Sequence, residues 1–421
     1  MGLAPASTPI PADMAAAIAE TKATLRARIG DVAGAFADLS AWMAAEVAEV
    51  VRTRDAGEDV FPIVAFADVQ AGTVSDATRA AITRRGCAVV RGTFPRPLAE
   101  SWNDELGRYL DDNRFLDRHQ LVNEQNLDGP AATKRPSIFP VYWSKPQVLA
   151  RQHAHMATVR SFLNGFWTHE SEGQVWFDPT KDAAYIDRIR RREPASEARG
   201  LAPHTDSGSV ERWLLPAYQR VFRHVFSGAW RAYDPWDGAY RTEILEFQST
   251  VMCSAFRTFQ GWTALSEMRP EDGVLHAIPI PSAMAFVLLR ALQDDIAADD
   301  LCGATNGRGL AASARYHELL LPALSPIPAV EPGDTVWWHA DLIHSVGEAS
   351  TDERWGNVMY IPAAPWCEKN AEYARVSAGS FLAGTSPVDF AADDFEVDWN
   401  GRATVDDLDA TGRRQLSLEP W

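Results

Sequence analysis

Past residue 200 the chain breaks into short apolar and aromatic runs, at 243–250, 256–265, 274–280, 334–339 and 356–362, separated by Gly, Pro and Asp. Short runs rich in Val, Ile, Phe and Trp between turn formers are the mark of a barrel or a two-sheet jelly roll. A parallel βαβ series would instead alternate its strands with long amphipathic helices. The pattern predicts an all-β core with helical additions: a double-stranded β-helix (jelly roll, cupin-like) with N-terminal helices packed outside. The segments 281–293 and 311–320 read as helical insertions.

Ahead of residue 200 the periodicity is helical. Met14, Ile18, Leu25, Ile29, Val32, Phe36, Leu39, Met43 and Val47 recur at threes, fours and their sums, which places them on one helix face over 13–51. Gly30 and Gly34 mark a break in it. Further helices are predicted over 76–84, 97–113 and 146–170, with a strand at 87–90 and irregular chain over 119–145. Residues 1–11 hold three Pro and read as a loose arm. The organisation is thus an arm and scaffold helix over 1–75, then a jelly-roll domain with helical insertions over 76–421, the two joined as one unit. The apolar stripe is expected to pack on the main domain, with a homodimer through the same helices as the alternative. The acidic stretch 389–398, with Phe390 and Phe395 spaced to dock, is expected to be a solvated strap.

Composition narrows the function. Asp plus Glu number 57 against 40 Lys plus Arg, a net charge of −17, which disfavours a nucleic-acid or anionic-membrane footprint. The longest apolar stretch, 283–289, meets Arg290 well short of the roughly 20 residues that cross a bilayer. Cys87, Cys253, Cys302 and Cys367 are too far apart for a zinc knuckle or a CxxC pair, so free buried thiols in a reducing compartment are expected. The chain carries no GxGxxG or GxxxxGK[ST] phosphate loop. A soluble, cytoplasmic protein acting on a small molecule fits these observations.

One constellation carries chemistry. His204 and Asp206 stand two apart in Pro203-His204-Thr205-Asp206, a spacing that on a strand sends both side chains to one face. Much later, Pro332-Gly333-Asp334 turns the chain into the run Thr335-Val336-Trp337-Trp338-His339, and His344 follows. Two His and one Asp make a facial triad, which leaves three positions of an octahedral metal open. His339 and His344 are five apart, so on an unbroken strand they face opposite ways, and both do not reach one metal easily. Arg354 lies ten residues past His344. A guanidinium there suits the far carboxylate of a dicarboxylate keto acid, gripped through two parallel hydrogen bonds; a surface ion pair with Asp352 or Glu353 is the bland alternative.

These features resemble the iron(II)/2-oxoglutarate-dependent oxygenase superfamily, on its phytanoyl-hydroxylase-like side. Gly273-Val274-Leu275-His276-Ala277-Ile278-Pro279 is similar to the Gly-x-Leu-x-x-x-Pro strand between the two halves of such a site. More closely, about residues 80–415 resemble the bacterial and fungal family DUF1479. The likeness rests on Arg91-Gly92-Thr93-Phe94-Pro95, Val210-Glu211-Arg212-Trp213, Arg257-Thr258-Phe259-Gln260-Gly261-Trp262, Asn357-Val358-Met359-Tyr360 and Ala364-Pro365-Trp366-Cys367. The resemblance implies His204, Asp206 and His344 as iron(II) ligands, choosing His344 over His339, and Arg354 as the partner of 2-oxoglutarate, with Ser209, Thr258 or Asn357 as a further polar contact. It implies a dioxygenase that consumes O2 and 2-oxoglutarate, releases succinate and CO2 and hydroxylates its substrate. A cupin-like metal isomerase or hydrolase that does not use 2-oxoglutarate, and a non-catalytic binding protein that keeps the fold, are the alternatives.

For the substrate, Arg188, Arg190, Arg191 and Arg192 lie shortly before His204, and Arg212 and Trp213 follow Asp206. Arginine orients an anion and Trp offers a flat apolar wall. Arg190, Arg212, Trp213, Arg257, Gln260 and Trp262 are therefore the expected substrate contacts, and a small polar or anionic metabolite the expected substrate. The alternative for the arginine cluster is a solvated helix pairing with Glu193 and Glu197.

Overall fold

The strands after residue 200 pair across long stretches of chain, and in the computed structural model they build two facing sheets. Residues 7–119, 137–194, 200–348 and 353–421 are described. Glu197, residues 1–6 of the arm and most of the stretch expected to be irregular, 120–136, lie outside them.

The larger sheet has seven strands, in the order Ile63–Ala65, Cys87–Arg91, Thr335–His339, Phe259–Ala264, Gly356–Tyr360, Ile189–Arg192 and Ile138–Phe139. All its pairings are antiparallel except the first. The smaller sheet has five strands, in the order Leu310–Ala311, Leu201–Thr205, His344–Val346, Leu275–Ala277 and Ser325–Pro326, all antiparallel. Alternation sorts the residues of each strand. Val336, Trp338, Trp262 and Val358 face the smaller sheet and pack with Val274, Leu275 and Ala277. Trp337, Phe259 and Met359 point the other way, into a layer of helices carrying Trp102, Leu106, Met156 and Leu163. This is the double-stranded β-helix core with peripheral helices. Trp337 lies across Gly261, its register partner, so closely that a Cβ there would sit 2.4 Å from the indole.

The long N-terminal stripe forms two helices, Met14–Ile29 and Val32–Asp55. Gly30 ends the first in the left-handed region (φ 76°), and the Asp31 carboxylate caps the second by accepting from the Gly34 amide. Leu25, Leu39, Met43 and Val50 are fully buried against a core that includes Trp213, Phe222 and the helix Ala283–Arg290. Among the described residues no helix is long and apolar enough to cross a membrane, and all four cysteines are free and buried.

Several expected elements differ. The run 243–250 is not a strand: its polar residues are spent on side-chain contacts, Glu246 taking the Lys369 ammonium at 2.7 Å, and Phe247 forms only an isolated bridge with Thr8. The segment 311–320 opens with the edge strand Leu310–Ala311 and holds a single helical turn, Ala314–His317. The helix expected over 146–170 is two, Lys145–Gln152 and Ala154–Asn164, because His153 is extended between them. Of the four arginines before His204, Arg190, Arg191 and Arg192 ride a strand, Ile189–Arg192, rather than a helix, and Arg188 immediately precedes it. The acidic stretch is not simply solvated. Asp389 is buried and holds the amide and hydroxyl of Ser254, and Glu396 is buried and takes Tyr109 Oη and the amides of Tyr142 and Trp143.

Candidate metal centre and its cavity

His204 lies near the end of the strand Leu201–Thr205 and Asp206 immediately past it, while His344 opens the neighbouring strand. The register pairs His344 with His204 directly. Antiparallel pairing thereby brings together residues far apart in sequence, with the two imidazole centroids 4.5 Å apart.

The donor atoms are oriented. His204 Nδ1 lies 2.7 Å from the Ala202 carbonyl oxygen and His344 Nδ1 3.1 Å from that of Leu342. A carbonyl only accepts, so each Nδ1 carries the proton and each Nε2 presents its lone pair. Both Nε2 atoms face one carboxylate: His204 at 3.2 Å from Asp206 Oδ1, His344 at 3.5 Å from Oδ2. Burial alone would raise the Asp206 carboxyl, but the charge the two imidazoles carry when protonated, and their hydrogen bonds, hold it well below the usual range. Among the described residues this is the one group of three His, Cys, Asp or Glu side chains whose ligand atoms all lie within 4.8 Å of one another. Two imidazole nitrogens and a carboxylate on one side, with a cavity on the other, are the donor set of a facial triad.

The triad opens on a cavity between the sheets, of roughly 1100 Å³ counting its mouth. Trp338, whose ring lies 5.3 Å from that of His344, lines it with Gln260, Arg257, Asp187 and Asp389. Trp262, Val358, Leu275, Met268, Arg190, Arg192, Gly273 and Gly356 line it too.

A family model described as Gig2-like matches residues 12–418. The chain belongs to the Gig2-like family. An uncharacterised Escherichia coli relative, YbiU, is 50% identical over 415 residues, 98% of each chain. The crystal structure of a hypothetical Escherichia coli protein, JW0805, superposes with a TM-score of 0.91 at 49% identity, over 98% of this chain and 99% of that one. The Gig2-like fold extends to the Candida albicans protein GIG2 (DUF1479), with a TM-score of 0.80 at 26% identity, over 98% of this chain and 91% of that one.

In this Gig2-like chain the residues singled out from sequence separate into two groups. Arg190, Arg257, Gln260 and Trp262 line the cavity with the triad. The others are placed elsewhere. Arg212 is fully buried and bonds Asp341 Oδ1 at 2.7 Å, and Trp213 donates to the Leu288 carbonyl within the helical core. Thr258 bonds Asn164, and the Ser209 amide is held by Glu211. Asn357 lies between Gly356 and Val358, both of which line the cavity, so it points outward and reaches Asn103 at 2.9 Å. Arg354 is not among the lining residues: its Nε donates to the buried Asp272 at 2.8 Å, and its Nη2 reaches Glu271 at 3.3 Å. His339 lies outside the metal cluster, stacked on Trp167 with Nε2 against the Pro235 carbonyl oxygen. The strand ends at His339 and a turn intervenes, so His344 belongs to the opposite sheet.

Sequence reading missed Asp187, Asp389, Trp338 and Arg192 as lining residues. One signal was present. Arg188, Arg190 and Arg192 stand two apart, the spacing that aims one face of a strand at a cavity, while Arg191 faces out and bonds the Asn103 carbonyl.

Proposed function

We propose that the protein is an iron(II)- and 2-oxoglutarate-dependent oxygenase that oxidises a small polar or anionic metabolite and releases succinate and CO2. The observation that carries this reading is the triad His204, Asp206 and His344, tautomers set by backbone carbonyls, at the wall of a cavity lined by arginines. His204, Asp206 and His344 would hold the metal. Ferrous iron bound with the keto acid supplies the O2-dependent oxidation of a carbon–hydrogen bond. The chain's own part is to bind, orient and exclude water. Arg257 is buried, with Nη2 on Ser207 Oγ at 3.0 Å and Nε free of any protein partner. Gln260 Nε2, also buried, lacks a partner too. Both are donors facing the cavity beside the triad, and unmet buried donors suit a carboxylate or similar acceptor on the substrate. Trp262 and Trp338 supply flat apolar walls.

The test is anaerobic reconstitution with iron(II), then a screen of organic and amino acids that reads succinate formation together with a +16 product mass. Substrate-dependent succinate with that product supports the reading. A chain that binds the metal stoichiometrically yet neither binds nor turns over 2-oxoglutarate is a metalloenzyme of another kind.

A further inference from the structure

Two guanidiniums in the wall of the cavity make no ion pair among the described residues. Arg190 and Arg192 stand two apart on one strand and line the same space. Arg190 makes no ion pair or hydrogen bond through its side chain, and its buried Nε is unpartnered. Arg192 is 6% exposed, and its single side-chain contact is a long one, Nη1 to the Gly273 carbonyl at 3.4 Å. Like charges held together out of water are unfavourable unless a ligand compensates them. Burial, then the neighbouring Arg190, pushes the Arg192 guanidinium down to about 10 against the pull of the Asp272 carboxylate.

The backbone makes room for this arrangement. Gly356 is the register partner of Arg192 on the adjoining strand, and a Cβ there would lie 3.1 Å from Arg192 Nε and Nη2. The absent side chain lets the guanidinium lie across the strand with its remaining donors open to the cavity. Met268, Val274 and Val346 add apolar lining to the same cavity. Such a place takes the carboxylate end of a ligand whose other end lies at the triad. Arg354, at the same end of the strand, is engaged instead by Asp272 and Glu271.

We propose that Arg192, seated across Gly356 and supported by Arg190, binds the far carboxylate of 2-oxoglutarate, the role that the position of Arg354 suggests from sequence. This rests on the 2-oxoglutarate reading above. A carboxylate of the primary substrate shares the chemistry, and the binding experiment separates the two.

The experiment is calorimetric titration of 2-oxoglutarate into anaerobic, iron(II)-loaded full-length protein, with metal content measured for each variant. Arg192→Ala is expected to weaken binding about 10- to 100-fold, as loss of a charge-assisted pair does, and Arg190→Ala by a smaller factor. Arg354→Ala is expected to leave affinity within about threefold, since its partners are protein carboxylates. Gly356→Ala keeps every charge but crowds the guanidinium, and is expected to weaken 2-oxoglutarate while metal stays at one per chain. It keeps the test open if Arg192→Ala does not fold. Wild-type protein that takes up iron but no 2-oxoglutarate overturns the co-substrate reading, and this assignment with it. Tight wild-type binding that survives Arg192→Ala and Gly356→Ala overturns this assignment alone. Loss on Arg354→Ala in that case returns the role to Arg354; retention in all three variants leaves the arginine pair to the primary substrate.

Discussion

Replacing Asp341 by Asn should cost the protein about 3–5 kcal/mol, the range for breaking a buried ion pair by removing one partner. Asp341 lies in the turn between the strand Thr335–His339 and His344, and is 3% exposed. Its two oxygens each take a guanidinium: Arg212 Nη1 at 2.7 Å and Arg241 Nη1 at 2.8 Å, with both arginines buried. Burial alone would raise this carboxyl, but the arginines, Arg241 foremost, hold it far below the usual range. Asn removes the one negative charge between two buried positive ones. At about 2.1 cal/mol/K per residue, a chain of 421 residues has an unfolding entropy near 0.9 kcal/mol/K, so the loss corresponds to roughly 3–6 °C in Tm. The same carboxylate anchors the turn three residues before a metal ligand, so iron affinity should fall too. Arg212→Met is the informative control. It leaves Asp341 and Arg241 as a neutral pair, and its cost is chiefly the Ser207 and Gly208 carbonyls that Arg212 also serves, about 1–3 kcal/mol. Thermal melts of both variants with metal titrations decide the matter. An Asp341→Asn chain that melts within about 1 °C of wild type, or an Arg212→Met chain less stable than Asp341→Asn, refutes the charge argument.

His344→Ala should abolish stoichiometric iron(II) binding while His339→Ala spares it, because His339 is stacked on Trp167 outside the cluster; metal analysis after anaerobic loading checks both. Gly261→Ala should lower stability by about 1–3 kcal/mol through collision with Trp337, read from a denaturant melt. Leu39→Ala, at a fully buried position of the second helix, should cost about 2–5 kcal/mol if the N-terminal helices are structural scaffold, read the same way. The Glu396 carboxyl is pushed up to about 7, burial outweighing its hydrogen bonds to Tyr142, Tyr109 and Trp143. The folded chain thus keeps a proton that the unfolded chain loses near 4.5, so this group's contribution falls as pH rises from 4.5 to 7 and is flat above. Melting temperatures over pH 6 to 8 should fall less steeply in Glu396→Gln than in wild type.

The jelly roll and the triad were legible because their parts leave short local patterns, although those parts meet across long stretches of chain. A His and an Asp two apart at a strand's end, and a Pro-Gly-Asp turn before an apolar run, carry their geometry with them. The surroundings were less so. Arg212 looked like a cavity residue because it follows Asp206 closely, but its partner Asp341 is 129 positions away and no local pattern announces it. Asn357 could be excluded only once Gly356 and Val358 were known to face inward. The arginine cluster held its own answer in its period of two, which a helix would not use. Asp389 and Glu396 looked like solvated acid; burial by segments remote in sequence changes that, and composition does not record it.

The direct pairing of His204 with His344 also fixes when the proposed metal site can form during synthesis. These two residues are 140 positions apart in the chain. At about 5–20 residues per second, roughly 7–30 s of translation separate their appearance. Throughout that interval the growing chain offers a His and an Asp but no third ligand. On the metal reading proposed above, selective capture therefore follows the emergence and docking of the strand that carries His344.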